Sequence, residues 1–131
     1  MAGKTVKRNI NYPIRENINI GEVHISDDVV VMISALAATE VEGVAYLSGN
    51  ITKNAVSKVG NGKLSKTIKI RVAQNVVDLS IVIHVKEGYD IPDVCRCVQE
   101  KVLNAVETMT ALQVSSVNVK VAGIALGKDK T

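Results

Sequence analysis

The sequence predicts an α+β fold: a two-layer sandwich with two main helices packed on one face of a largely antiparallel or mixed sheet. Three observations point there. The runs "KTIKIRV" and "VVDLSIVIHVK" alternate apolar and polar residues, so each makes a strand with one apolar face. Two other stretches, around 29–41 and 94–109, repeat apolar residues at helical spacing. The elements then run in the order β-α-β-β-β-α-β, and strands with a single apolar face call for helices on one side of the sheet only.

Residues 1–19 are polar, include Pro13 and show no period, so they read as a flexible basic arm. A single domain follows over 20–124, and residues 125–131 read as a frayed tail. "IGEVHIS" alternates and predicts a short strand at about 20–25. Ser26 stands where a helix cap belongs, and Asp27 and Asp28 complement the positive end of the helix. Val29, Ile33, Leu36, Ala37 and Val41 are the expected buried stripe of that helix, and Gly43 is placed to stop it. "VAYL" reads as a second short strand.

Residues 49–65, "GNITKNAVSKVGNGKLS", have no clear period. A turn or two of helix fits "NITKNAVSKVG", and "GNG" is a turn signal. Gln74 and Asn75 separate the two alternating runs and predict an antiparallel hairpin. Pro92 suits the first turn of a second helix. Its expected buried stripe is Val94, Val98, Val102, Ala105, Val106 and Met109. In "SSVNVKVAG", Val117, Val119 and Val121 should face the core from the last strand.

The 131 residues suffice for one stable core without disulfides. Phe and Trp are absent, so that core is aliphatic. No apolar run reaches the ~18–20 residues of a membrane span, and the first residues lack the apolar stretch of a signal peptide. These features lead us to expect a cytosolic chain with reduced cysteines. Net charge is +3, of which residues 1–19 carry +3 and 123–131 carry +1, leaving 20–122 at −1. Lys53, Lys58, Lys63, Lys66, Lys69 and Arg71 fall in one segment that contains no acid. That segment is the candidate interaction surface, although a hydrated surface explains such a run as well.

Residues 81–97, "IVIHVKEGYDIPDVCRC", hold the residue types of metal and catalytic sites. Strand alternation turns His84 to the polar face, where a solvated surface histidine is the simplest reading. Asp93 belongs in a helix first turn for dipole reasons alone. Cys95 and Cys97 are about 200° apart around a helix, which rules out a mutual disulfide or a shared metal while that helix persists. Cys95 borders the buried stripe, and Cys97 should be exposed. No catalytic, cofactor-binding or metal-binding residue is therefore assigned. The hairpin's polar face carries Lys69, Arg71, Ser80, His84 and Lys86 without the aromatics of an RNA-binding sheet, so nucleic acid is a minor alternative.

Three stretches together resemble the alkaline-shock and general-stress envelope protein family of Gram-positive and related bacteria. The first is "GEVHISDDVVVMISALAATEVEGVAYLSGN". The second is "VVDLSIVIHVKEGYDIPDVCRCVQEKVLNAVETMTALQV", and the third is "SSVNVKVAGI". They cover about 20–124. The resemblance implies a non-enzymatic protein of cell-envelope homeostasis, cytoplasmic or peripheral at the inner face of the membrane. It implies a protein-binding scaffold or adaptor with no cofactor, whose membrane contact is indirect, and leaves a homo-oligomer open. The partner it implies is a membrane anchor protein or a lipid-synthesis enzyme. The stretch "GNITKNAVSKVG" is most similar to a branch that sits beside fatty-acid synthesis, which makes regulation of acetyl-CoA carboxylase the alternative.

Overall fold

The computed structural model describes residues 24–126. The predicted arm, most of the predicted strand at 20–25, and residues 127–131 lie outside them. His24 and Ile25 precede the first described element without regular structure.

Helix α1 spans Asp27–Glu40. The Ser26 side chain accepts the Asp28 amide at 3.1 Å, the expected cap. The buried stripe is not the expected one. Val29 and Leu36 are 45% and 37% exposed, whereas Val30, Val31, Ser34, Ala35 and Ala38 are buried together with Ile33 and Ala37. The helix packs against α3 (Ile91–Thr110), the sheet and the short helix α2 (Asn61–Thr67), so most of its circumference is covered. Small side chains allow that close approach, and nearly uniform apolar character left its phase undetermined. The helix stops at Val41, in extended backbone, and not at Gly43. Gly43 (φ +102°) instead shapes the turn into strand β1 (Val44–Leu47).

Between β1 and the next strand, β2 (Ile68–Ala73), the chain forms a 3₁₀ turn, Lys53–Ala55, followed by α2. The "GNG" segment opens this helix and is not a free turn. Buried Ile51, Val56 and Leu64 tie the connection to the core.

Strands β2 (Ile68–Ala73) and β3 (Val76–Lys86) form the predicted hairpin, paired from Ile68↔Ile81 to Ala73↔Val76. Gln74 (φ +54°) and Asn75 (φ +66°) are both left-handed, as a two-residue turn of this hand requires. Helix α3 begins after Asp90 with Pro92 in its first turn and closes on left-handed Ala111. Its buried residues are Val94, Val98, Val102 and Val106. Ala105 is half-buried, and Met109, in the last turn beyond the stripe, is 67% exposed. Strand β4 (Gln113–Ala125) returns parallel to β3 along its whole length.

Strand β3 is thus the centre of a mixed sheet. β4 covers one side of it, and β1 and β2 lie end to end on the other. Where they meet, the Val82 carbonyl accepts both the Ser48 amide (3.1 Å) and the Thr67 hydroxyl (3.1 Å). Val77, Leu79, Ile81, Ile83 and Val85 are fully buried in the core shared with the helices. The alternate residues of β3, Asp78, Ser80, Val82, His84 and Lys86, fall on the sheet's open face.

Candidate functional site

Lys69 and Arg71 alternate with Ile68 and Ile70 and stand on that open face. Register places Lys69 opposite Ser80, and Ser80 opposite Asn118. Arg71 faces Asp78, which in turn faces Ser116. These side chains line a shallow polar depression of about 300 Å³. Lys86 and Lys120 are exposed on the same face, Lys120 through its pairing with Val82. The face thus carries Lys69 and Arg71 at the depression, Lys120 further along at Val82, and Lys86 at the far end of β3, a distribution the charge run did not reveal. The remaining candidates, Lys53, Lys58, Lys63 and Lys66, are exposed on the connection between β1 and β2.

Asp78 is the sole acid in the four described strands. Its carboxylate is tied down by Ser115 and Ser116, brought to one acceptor by a bulge in β4 opposite Val77 and Asp78. Those two hydroxyls, with the Arg71 charge adding to them, hold the Asp78 carboxyl below the usual carboxylate range.

His84 occupies the open face as alternation requires, yet it is half-buried and not a free surface imidazole. Its ring stacks on Tyr46, with centroids 4.7 Å apart and planes 29° apart. On the other side lies Gly123, its register partner, where an added Cβ would come 3.2 Å from His84 Cδ2. Nδ1 is buried without a hydrogen-bond partner among the described residues. Since Tyr46 and His84 turn ring faces to each other, they do not form the flat stacking platform of an RNA-binding sheet.

A second surface lies in the helix layer. The end of α1, the turn at 41–43 and the first half of α3 enclose an open groove of about 540 Å³. Val41, Val94 and the 40%-exposed Tyr89 give it an apolar floor. A Cβ on Gly43 would meet Val94 at 2.7 Å and Tyr89 at 2.9 Å, so glycine is what lets them close over the turn. Five carboxylates, Glu40, Glu42, Asp90, Asp93 and Glu100, border it. Lys101 approaches Glu40 at 3.8 Å, and Arg96 pairs with Asp93 at 3.3 Å. Glu42, Asp90 and Glu100 have no cation within 4 Å among the described residues. The groove joins segments some fifty residues apart, so no local motif announced it.

Cys97 is exposed at the groove, as expected, and Cys95 is half-buried, where burial pushes its thiol pKa up. Among the described residues no group of three or more His, Cys, Asp and Glu could hold a metal ion.

The fold and its surfaces define a small α+β domain with a basic sheet face and an acidic groove in the helix layer. Residues 15–126 match the family model whose description is a cell envelope-related function, and the chain belongs to that family, the alkaline-shock family. It is 31% identical over 109 residues to the uncharacterized protein YqhY of Bacillus subtilis, covering 83% of this chain and 81% of that one. It is 31% identical over 110 residues to the uncharacterized protein Spy1535 of Streptococcus pyogenes, covering 83% of each. It is 28% identical over 106 residues to the uncharacterized protein YloU of Bacillus subtilis, covering 79% and 88%.

Proposed function

We propose that this protein is a non-enzymatic scaffold or adaptor of the cell envelope, which works by holding proteins together. One observation carries the reading: a single domain exposes two surfaces of opposite charge, one on each layer. The family's cell envelope-related description supports the setting. Among the described residues no helix is long and apolar enough to cross a membrane, and the position we propose at the inner membrane face is one held through a partner. The family resemblance makes a membrane anchor protein or an enzyme of lipid synthesis the partner we propose for them.

The test is a crosslinked pull-down from native cells with membrane fractionation, run for the natural chain and for charge-reversed forms of each surface. The reading expects specific partners that one or both reversals release. A protein that fractionates freely and captures nothing specific would remove it.

A further inference from the structure

Strand β4 stands at one edge of the described sheet. It is 13 residues long, whereas β1 and β2, which share the other side of β3, have four and six. β3 shows which way the β4 backbone points. The Val82 carbonyl accepts the Ser48 amide and the Lys86 amide donates to the Gly43 carbonyl, both on the β1 side. The alternate residues Ile81 and Ile83 therefore bond toward β4, and in a parallel pair this leaves their register partners, Val119 and Val121, aimed away from the sheet. Val114 and Val117 share that direction, and α3 serves them. The Val114 amide donates to Glu107 at 3.0 Å, and Gln99 Nε2 donates to the Val117 carbonyl at 3.0 Å. Beyond Gln99 this cover ends. The outward N–H and C=O groups of Val119 and Val121 have no hydrogen-bond partner among the described residues. Sheet edges are commonly blunted by proline, by several lysines or by shortness. Residues 116–121 instead form a regular run between two bulges, without proline and with one charge, Lys120. An open pocket of about 330 Å³ lies between α3 and the start of this run, lined in part by Leu103, Asn104, Ser115 and Val117.

We propose that β4 takes up an extended segment of a partner protein as one more strand, antiparallel to it along residues 116–121. Outward amides and carbonyls in a row are satisfied together by another extended backbone, and antiparallel pairing is the more stable kind. Strand alternation then sets the segment's side chains. Those beside Val117, Val119 and Val121 lie on the helix side of the sheet and are apolar, and the one next to Val117 reaches the pocket. The one opposite Lys120 lies on the open face and is acidic. Lys120 has no carboxylate within 4 Å among the described residues, and opposite charges across a strand pair stabilise it. A second copy of this chain fits less well. Paired antiparallel about Val119, the two Lys120 side chains would be diagonal neighbours, and the only acid of the four described strands, Asp78, is already engaged by Ser115 and Ser116. The edge is separate from the acidic groove, so the adaptor gains a contact that works through its backbone.

The experiment titrates the full-length chain with a synthetic peptide, acetyl-Ser-Val-Glu-Val-Thr-Val-amide, and follows backbone amides by NMR and hydrogen exchange. The free chain is expected to exchange its Val119 and Val121 amides fast. With nine-tenths of the chain bound, both should slow by about tenfold. Methylating the peptide nitrogens of its valines, whose amides would face β4, is expected to abolish binding. Methylating those of its glutamate and threonine, which face away, should leave binding intact. Lys120 is exposed, so Lys120→Glu keeps the fold. That variant should bind this peptide about two- to fivefold more weakly and regain affinity for the peptide with lysine in place of glutamate. Four results would each overturn the proposal: no saturable shift at Val119 and Val121, binding that survives methylation at the valines, a Lys120→Glu form with unchanged preference, or outward amides already slow in the free chain. The last result, in a chain that sediments as two copies, would give the edge to a second copy. If the peptide fails while charge reversal still releases partners in the pull-down, the adaptor reading stands without this edge.

Discussion

Tyr46 and His84 stack on the open face of the sheet, 4.7 Å between centroids, with the imidazole pressed toward Gly123. Three strands supply the three residues, and β3 is flanked there by β1 and β4. An aromatic pair adds roughly 0.5–1.5 kcal/mol beyond its buried area. His84→Ala should cost about 1 kcal/mol of unfolding free energy. His84→Phe keeps the stack and removes the unpartnered Nδ1, and should fall within about 1 kcal/mol of the natural protein. Urea titration measures both, and a Phe variant less stable than the Ala variant would refute this account of the pair.

Asp78 gives a pH dependence of definite sign. Its folded carboxyl titrates below the unfolded value of about 3.9. Between the two values the unfolded chain binds more protons, so stability rises with pH there. The contribution is complete above the unfolded value and is lost as pH falls through the folded one. Joint Ser115→Ala and Ser116→Ala should raise the Asp78 titration midpoint seen by NMR. It should also shrink the acid-side loss of stability. A midpoint that does not move would show that the serines are not its cause.

The Gln74–Asn75 turn offers a stabilising change. Both residues are left-handed, and a two-residue turn of this kind favours Asn-Gly. Replacing Asn75 by Gly, with Gln74→Asn, should raise stability by about 0.5–1 kcal/mol in a thermal or urea melt. Gly43→Ala is the opposite case. It combines φ +102° with Cβ contacts of 2.7 and 2.9 Å to Val94 and Tyr89. It should cost about 1–3 kcal/mol and disturb the groove, seen as shifted Tyr89 and Val94 resonances.

Leu64 tests the segment that carried no readable period. It is fully buried in α2, so Leu64→Ala should cost about 2–5 kcal/mol. Hydrogen exchange should quicken through 61–67 before the rest of the domain. A cost below about 1 kcal/mol would mean that α2 is not anchored to the core.

How much was legible follows from where each signal lives. Ile68, Ile70, Val77, Leu79, Ile81, Ile83 and Val85 alternate within their own strands, so the sheet's two faces were readable locally. The cap at Ser26 and the valine stripe from Val94 to Val106 were local too. In α1, valine, alanine and serine differ too little in polarity to set a phase, so the spacing that points Val29 and Leu36 inward does not hold and both stand outward. Lys120 joins Lys69 only through the register of β4 on β3, and Gly123 reaches His84 the same way. The groove brings Glu42 and Glu100 to one lining, which is tertiary information.

The central claim is that the two charged surfaces are contact surfaces in the cell. Lysine and carboxylate footprinting of the protein in intact cells, compared with dilute purified protein, tests it most directly. The expected result is protection of Lys69, Lys86 and Lys120 on one layer and of Glu42 and Glu100 on the other, with Met109 oxidising equally in both states. Equal labelling of all these groups in cells and in dilute solution would contradict it.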